Sequence, residues 1–138
     1  HLNALLIFPV LDEIQEVEAV KEEIAIDTKD KKGGRLGIVA TDAGYVYILK
    51  ASNGELLVHS DTYKTEESAL NALKNFKEAV KNGKFYVVKD KRDYYQFKLY
   101  SKTGRIVEVG ETYQSKQQAI SSANSVYSFV ELALPFEQ

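Results

Sequence analysis

Tyr95-Gln96-Phe97-Lys98-Leu99-Tyr100-Ser101-Lys102-Thr103-Gly104-Arg105-Ile106-Val107 repeats, in chemical character, a stretch fifty positions earlier. That earlier stretch is Tyr45-Val46-Tyr47-Ile48-Leu49-Lys50-Ala51-Ser52-Asn53-Gly54-Glu55-Leu56-Leu57. Each has a run with aromatic and aliphatic residues on alternate positions, then a Gly-containing turn, then a second apolar run. Each is followed by a tyrosine, Tyr113 or Tyr63, and a helix-like segment. Alternation with period two places Tyr45, Tyr47 and Leu49 on one face of a strand. Asn53-Gly54 accepts the positive φ angles of a tight hairpin, and Thr103-Gly104 turns the chain into the run that follows it. A duplicated unit therefore organises the chain.

Working outward, the first unit reads as strands over Leu36 to Thr41, Tyr45 to Ala51 and Glu55 to Ser60. A helix follows, with Thr65 as N-cap and Glu66 and Glu67 at the positive end of its dipole. Its apolar stripe is Ala69, Leu70, Leu73, Phe76 and Val80, and Asn82-Gly83 ends it. The second unit reads as Phe85 to Lys89, Tyr94 to Tyr100 and Arg105 to Val109. Ser115 and Gln118 then have capping-box spacing before a helix over Gln117 to Tyr127. Ser128 to Leu134 reads as a final strand stopped by Pro135. Three strands and one helix bury too little surface to stand alone, so the expected fold is α+β, two β-β-β-α-(β) repeats sharing one mostly antiparallel sheet and one core. The boundaries are 35–83 for the first repeat and 84–138 for the second.

Residues 1–34 form an acidic segment in front, with 8 acidic and 4 basic side chains. Ile14, Val17, Val20 and Ile24 recur at helical steps, so a helix is expected from Asp12 to about Ile26. Ala4 to Phe8, under Gly54 to Val58 by the same offset of fifty, leaves two readings open: the back half of a third repeat, or an unrelated appended helix. Asp30-Lys31-Lys32-Gly33-Gly34 reads as a flexible linker.

With 138 residues, 44% hydrophobic, 28% charged and a net charge of -2, the composition is that of a soluble globular protein with no general attraction to nucleic acid or anionic membranes. Residues 84–138 are mildly basic, 8 basic against 6 acidic, so the acidic front segment could dock on them. The absence of cysteine excludes disulfides and thiolate chemistry. No apolar run has the ~20 residues that span a bilayer, and a cytoplasmic location is expected. The chain begins with His1 and contains no methionine, so the natural start is expected to lie upstream.

The order Tyr47-x-Leu49-Lys50-Ala51-x-Asn53-Gly54-Glu55, then Tyr63, then a helix, resembles the YegP-like family of small bacterial proteins of unknown function, the DUF1508 or UPF0339 repeat. The resemblance spans about residues 36–134, with Phe97, Leu99, Gly104, Tyr113 and Val126 matching in the second unit. It implies repeats that build a single sheet by exchanging C-terminal strands, within a chain or between subunits. It transfers no activity. The family's serine before the tyrosine is matched by Ser60 but replaced by Gly110, and its helical Asn-Gly-Ile stands as Asn71-Ala72-Leu73 and Ser121-Ser122-Ala123.

Catalytic candidates are sparse. His59, the internal histidine, alternates with Leu57 and is expected to face an apolar layer as a structural residue, with a polar site as the competing reading. One internal histidine without cysteine disfavours a zinc site, and the loops lack a calcium-type pattern. No cofactor is expected. Tyr86, Tyr94 and Tyr100 with Lys98, Lys102 and Arg105 could form an aromatic and cationic sheet face able to stack bases and hold phosphates; tyrosines covering a half-buried sheet are the plainer reading. The expectation is a non-enzymatic binding or protein-interaction module, self-associating through strand exchange. The alternative is a small-ligand or single-stranded nucleic-acid binder on the tyrosine and lysine face, and an enzyme is the least favoured.

Overall fold

The computed structural model describes residues 21–136. The apolar run Ala4 to Phe8, with the two readings it left open, and most of the expected Asp12 to Ile26 helix lie outside them. Among the described residues seven strands and two helices follow one another: β1 Glu22–Glu23, β2 Arg35–Thr41, β3 Gly44–Lys50, β4 Leu56–His59, α1 Glu66–Asn82, β5 Lys84–Lys89, β6 Tyr95–Tyr100, β7 Ile106–Val109 and α2 Lys116–Val130. The fold is α+β, as the patterning implies.

Hydrogen bonding divides the strands into two antiparallel sheets where one was expected, in the orders β2-β3-β4 and β1-β5-β6-β7. The expected sharing takes place in the core. Tyr47, Leu49 and Phe76 of the first repeat belong to one buried cluster with Phe85, Phe97, Leu99 and Val126 of the second. Helix α1 packs on β2 and β3 and reaches β7 of the other sheet, while α2 packs on β5 and β6 and reaches β3 and β4. Each helix thus closes its own sheet and touches the other's.

The two repeats use the same local devices. Ala51 and Ser101 N–H groups donate across their turns to the Glu55 and Arg105 carbonyls, and Gly54 and Gly104 sit at φ +90° and +89°, a region costly for other residues. Thr65 and Ser115 cap the helices by accepting from the Ser68 and Gln118 backbone N–H groups. At Ser115 the Gln118 side chain reaches back to complete the capping box.

Four expectations are corrected. Residues 22–23 pair with Val87 and Tyr86 at the free edge of β5 instead of continuing a helix, and Ile24 enters the core. Ser128 to Val130 are the last residues of α2, since Phe129 and Val130 fall on its buried face; only Leu134 beyond them pairs, through a parallel bridge to Arg35. Leu70 is 48% exposed, and Ala79 takes its place in the buried stripe of α1. Gly33-Gly34 is no free linker: the Lys32 N–H donates to the Ser128 carbonyl at 2.6 Å, and a Cβ on Gly34 would come within 2.4 Å of the Lys50 carbonyl oxygen.

Candidate functional site

In both repeats the hairpin after the central strand contains a β-bulge. Leu49 opposes Val58 while the next residue, Lys50, opposes Leu56; Leu99 opposes Glu108 while Tyr100 opposes Ile106. The extra residue, Leu57 or Val107, breaks the inward and outward alternation. As a result His59 pairs with Ile48, whose neighbours Tyr47 and Leu49 point into the core, and His59 is exposed on the outer face. The expected apolar layer around it is absent, because the bulge shifts the facing by one residue.

The equivalent bulge in the second repeat turns Glu108 inward. Its Oε1 accepts the Tyr47 hydroxyl at 2.6 Å, and its Oε2 accepts the Val109 N–H at 3.1 Å. Tyr47 is 2% exposed and stacks on Phe76 with ring centroids 5.1 Å apart. Its backbone is clamped as well: the Tyr47 N–H donates to the buried Ser60 Oγ at 2.9 Å. Burial pushes the Glu108 carboxyl above its ordinary value of 4.5, outweighing the Tyr47 and Val109 hydrogen bonds that favour the anion. Burial, then the nearby Glu108 carboxylate, raises the Tyr47 phenol. Tyr63, close to Asp61 and Glu108, is raised by burial first and by Asp61 next.

This pair exists in one half of the molecule only. The positions equivalent to Tyr47 and Glu108 are Phe97 and Val58, both apolar and both buried. Where Ser60 holds Tyr47, Gly110 lies so close to the Phe97 ring that a Cβ would sit 2.3 Å from it.

Tyr47 and Tyr63 form the floor of a cleft of about 330 Å³ between α1 and the β6–β7 hairpin. Asn75 and Glu78 rise from α1, and Thr103 and Arg105 from the hairpin turn. A cleft of about 430 Å³ occupies the equivalent place between α2 and the β3–β4 hairpin. Tyr113, Ser125, Glu55 and Leu56 stand there for Tyr63, Asn75, Arg105 and Ile106. The duplication therefore made two clefts, and their chemistry has diverged.

The six residues of the expected tyrosine and lysine face do not come together. Tyr86 and Tyr100 meet edge to face, centroids 5.2 Å apart, with Lys98 paired to Tyr86 across the strands. The Lys21 ammonium covers both rings, at 4.5 and 4.1 Å from their centroids. Tyr94 lies at the other end of the β5–β6 hairpin under the Arg92 guanidinium, 5.1 Å away. Lys102 is exposed in the β6–β7 turn, and Arg105 belongs to the cleft. Among the described residues no group of three or more His, Cys, Asp or Glu side chains is placed to hold a metal ion, and no helix is long and apolar enough to cross a membrane.

Position-by-position comparison of the repeats carries the signal for Tyr47 and Glu108: a phenol and a carboxylate replace two apolar residues. Reading each strand by alternation alone conceals it, because Val107-Glu108-Val109 then turns the glutamate outward.

Interlocked β-β-β-α repeats with this hairpin grammar define a class of small duplicated α+β proteins. A family model described as a domain of unknown function, DUF1508, matches residues 40–86. A UPF0339 protein of Pseudomonas aeruginosa is 30% identical over 88 residues, 63% of this chain and 80% of that protein. A UPF0339 protein of Treponema denticola is 41% identical over 44 residues, 32% of this chain and 76% of that protein. The solution structure of yegP from E. coli, a protein of unknown function, superposes with a TM-score of 0.61 at 16% identity, covering 78% of this chain and 97% of that one. A UPF0339 protein of Shewanella oneidensis gives a TM-score of 0.60 at 19% identity, covering 74% and 90%. The chain belongs to the UPF0339 (DUF1508) family, whose function is unknown.

Proposed function

We propose that this protein is a non-enzymatic binding module that takes a small polar ligand in the cleft between α1 and the β6–β7 hairpin. The observation that carries this reading is the Tyr47–Glu108 pair. A half-buried carboxyl bonded to a buried phenol is costly compared with the Phe97 and Val58 found at the equivalent places. It lies beneath the one of the two clefts whose walls carry both signs of charge. Burial of a polar pair behind a cleft is the arrangement expected where a ligand's hydrogen bonds must be met.

The test is a thermal-shift screen with metabolites, paired with the variant Asn75→Trp, which fills the cleft from an exposed helical position. A ligand at about 100 times its Kd adds roughly 2.7 kcal/mol, a clear rise in Tm. The expected result is a rise in the native protein that Asn75→Trp abolishes without lowering the unliganded Tm. A rise that persists in Asn75→Trp would remove the cleft from the reading.

A second reading rests on the Tyr86 and Tyr100 rings with Lys21 and Lys98. Two aromatic rings among ammonium groups on a sheet face suit single-stranded nucleic acid. Oligonucleotide binding that weakens steeply with salt and is lost in Tyr86→Ala would favour it.

A further inference from the structure

The cleft walls carry opposite charges that do not meet. Arg105 projects from the hairpin turn and Glu78 from α1, both exposed and both lining the cleft. Among the described residues neither belongs to an ion pair, although such pairs form elsewhere, so at least 4 Å separates their charged atoms. Glu78 Oε1 accepts from the Asn82 side chain at 2.7 Å, which fixes the carboxylate near the wall. A guanidinium and a carboxylate held apart across a cleft make a field along one direction, and a molecule carrying both charges lowers its energy by lying along it.

Resting on the cleft being a binding site, the geometry points to a small zwitterion as its ligand, an amino-acid-like molecule with its carboxylate toward Arg105 and its ammonium toward Glu78. Three features favour a zwitterion over a simple ion. A lone anion would meet Arg105 but also Glu78 and, behind Tyr47, Glu108. A lone cation would leave unanswered the Arg105 guanidinium, which has no ion pair among the described residues. The Asn75, Thr103 and Tyr63 side chains supply neutral donors and acceptors between the two charges. The other cleft provides the contrast within the same molecule. Glu55 replaces Arg105, and Ser128, buried in the protein, stands where α1 carries Glu78. Opposed charges are absent there, so a zwitterion gains no orientation.

The experiment is a titration of the isotopically labelled protein, followed by amide NMR shifts. The probes are glycine, β-alanine, 4-aminobutyrate and 6-aminohexanoate, which step the charge separation, with butyrate and butylamine as single-charge controls and a set of uncharged metabolites beside them. At least one zwitterion is expected to move the amides of Tyr63, Asn75 and Thr103 to Val107 saturably, leaving Tyr113 and Ser125 still. Arg105→Gln and Glu78→Gln should each weaken it about five-fold, the size expected for an exposed charge contact. Exchanging the charges, Arg105→Glu with Glu78→Arg, should restore binding in the reversed orientation, an outcome that mere structural damage would not produce. The zwitterion inference is overturned if butyrate or butylamine binds as tightly as every zwitterion, or if Arg105→Gln leaves affinity unchanged. It also falls alone if an uncharged metabolite moves the cleft amides and no zwitterion does. Failure of every compound, charged and uncharged, to move those amides takes down the binding reading as well.

Discussion

Two carboxyl groups, Glu108 and Asp90, give this protein opposing expected responses to pH. Glu108 has its folded-state pKa raised above 4.5 by burial, so between 4.5 and that raised value the folded chain binds more protons than the unfolded one. Stability then falls as pH rises through this window and stays at the lower level above it. Asp90 works in the opposite sense: its pKa is held below 3.8, chiefly by the Tyr94 backbone N–H, so its contribution is present above 3.8 and fades as pH falls through the lowered value. Glu108→Gln should remove the decline above 4.5, which denaturant unfolding curves at pH 4, 5, 6 and 7 will read directly. A slope equal to that of the native protein would place the group's charge in solvent. The sequence concealed Glu108 because a two-residue period assigns Val-Glu-Val an outward glutamate, and period alone cannot see a bulge. It misplaced His59 for the same reason. What it did expose was the mismatch with Val58, visible once the repeats are aligned.

At the scale of elements, chemistry that acts locally was legible and chemistry that acts at a distance was not. Thr65 and Ser115 at the N-caps, Asn82-Gly83 at the end of α1 and the two Gly turns are all decided within four residues of themselves. The end of α2 is different. Ser128, Phe129 and Val130 are equally compatible with a strand by composition; they stay helical because all three are buried when the helix continues. Residues 22–23 likewise have an acidic helical pattern, yet they complete the edge of β5, where Glu22 pairs with Lys116 and Glu23 with Lys84 at 3.4 Å. Tertiary pairing overrode propensity in both places. The capping box makes a sharper claim. Ser115→Ala loses the acceptor for the Gln118 N–H and the reciprocal contact, and should cost about 1 kcal/mol. Thr65→Ala, where the Ser68 side chain meets the Thr65 hydroxyl without completing a capping box, should cost no more. Chemical denaturation of the two variants side by side tests the ordering.

For the whole molecule, the repeat predicted a shared structure, and what is shared is the interior. Sharing a sheet would require a ladder between an edge strand of one repeat and an edge strand of the other, and among the described residues none joins β2-β3-β4 to β1-β5-β6-β7. Instead the chain crosses between sheets. β5 follows the first repeat's helix but opens the second repeat's sheet, and Leu134, after the second helix, returns to β2 through reciprocal bonds with Gly34 and Leu36. Phe136 then lies against Gly37, 2.9 Å from where a Cβ would stand. Neither repeat therefore owns a complete core: the Tyr47–Phe76 stack of the first is sealed by Glu108 and β7 of the second. Cut between them, each half would expose the face that the other covers, and a 50-residue unit has little apolar area to spare. The fragments 1–83 and 84–138 should each be largely unfolded by circular dichroism, and mixing them should restore helix in proportion to concentration. The intact chain should unfold in one transition by far-UV and tyrosine signals alike. Two separated transitions, or a folded 84–138 fragment on its own, would mean that the repeats are independent domains and that the clefts between them are not held in place by the core.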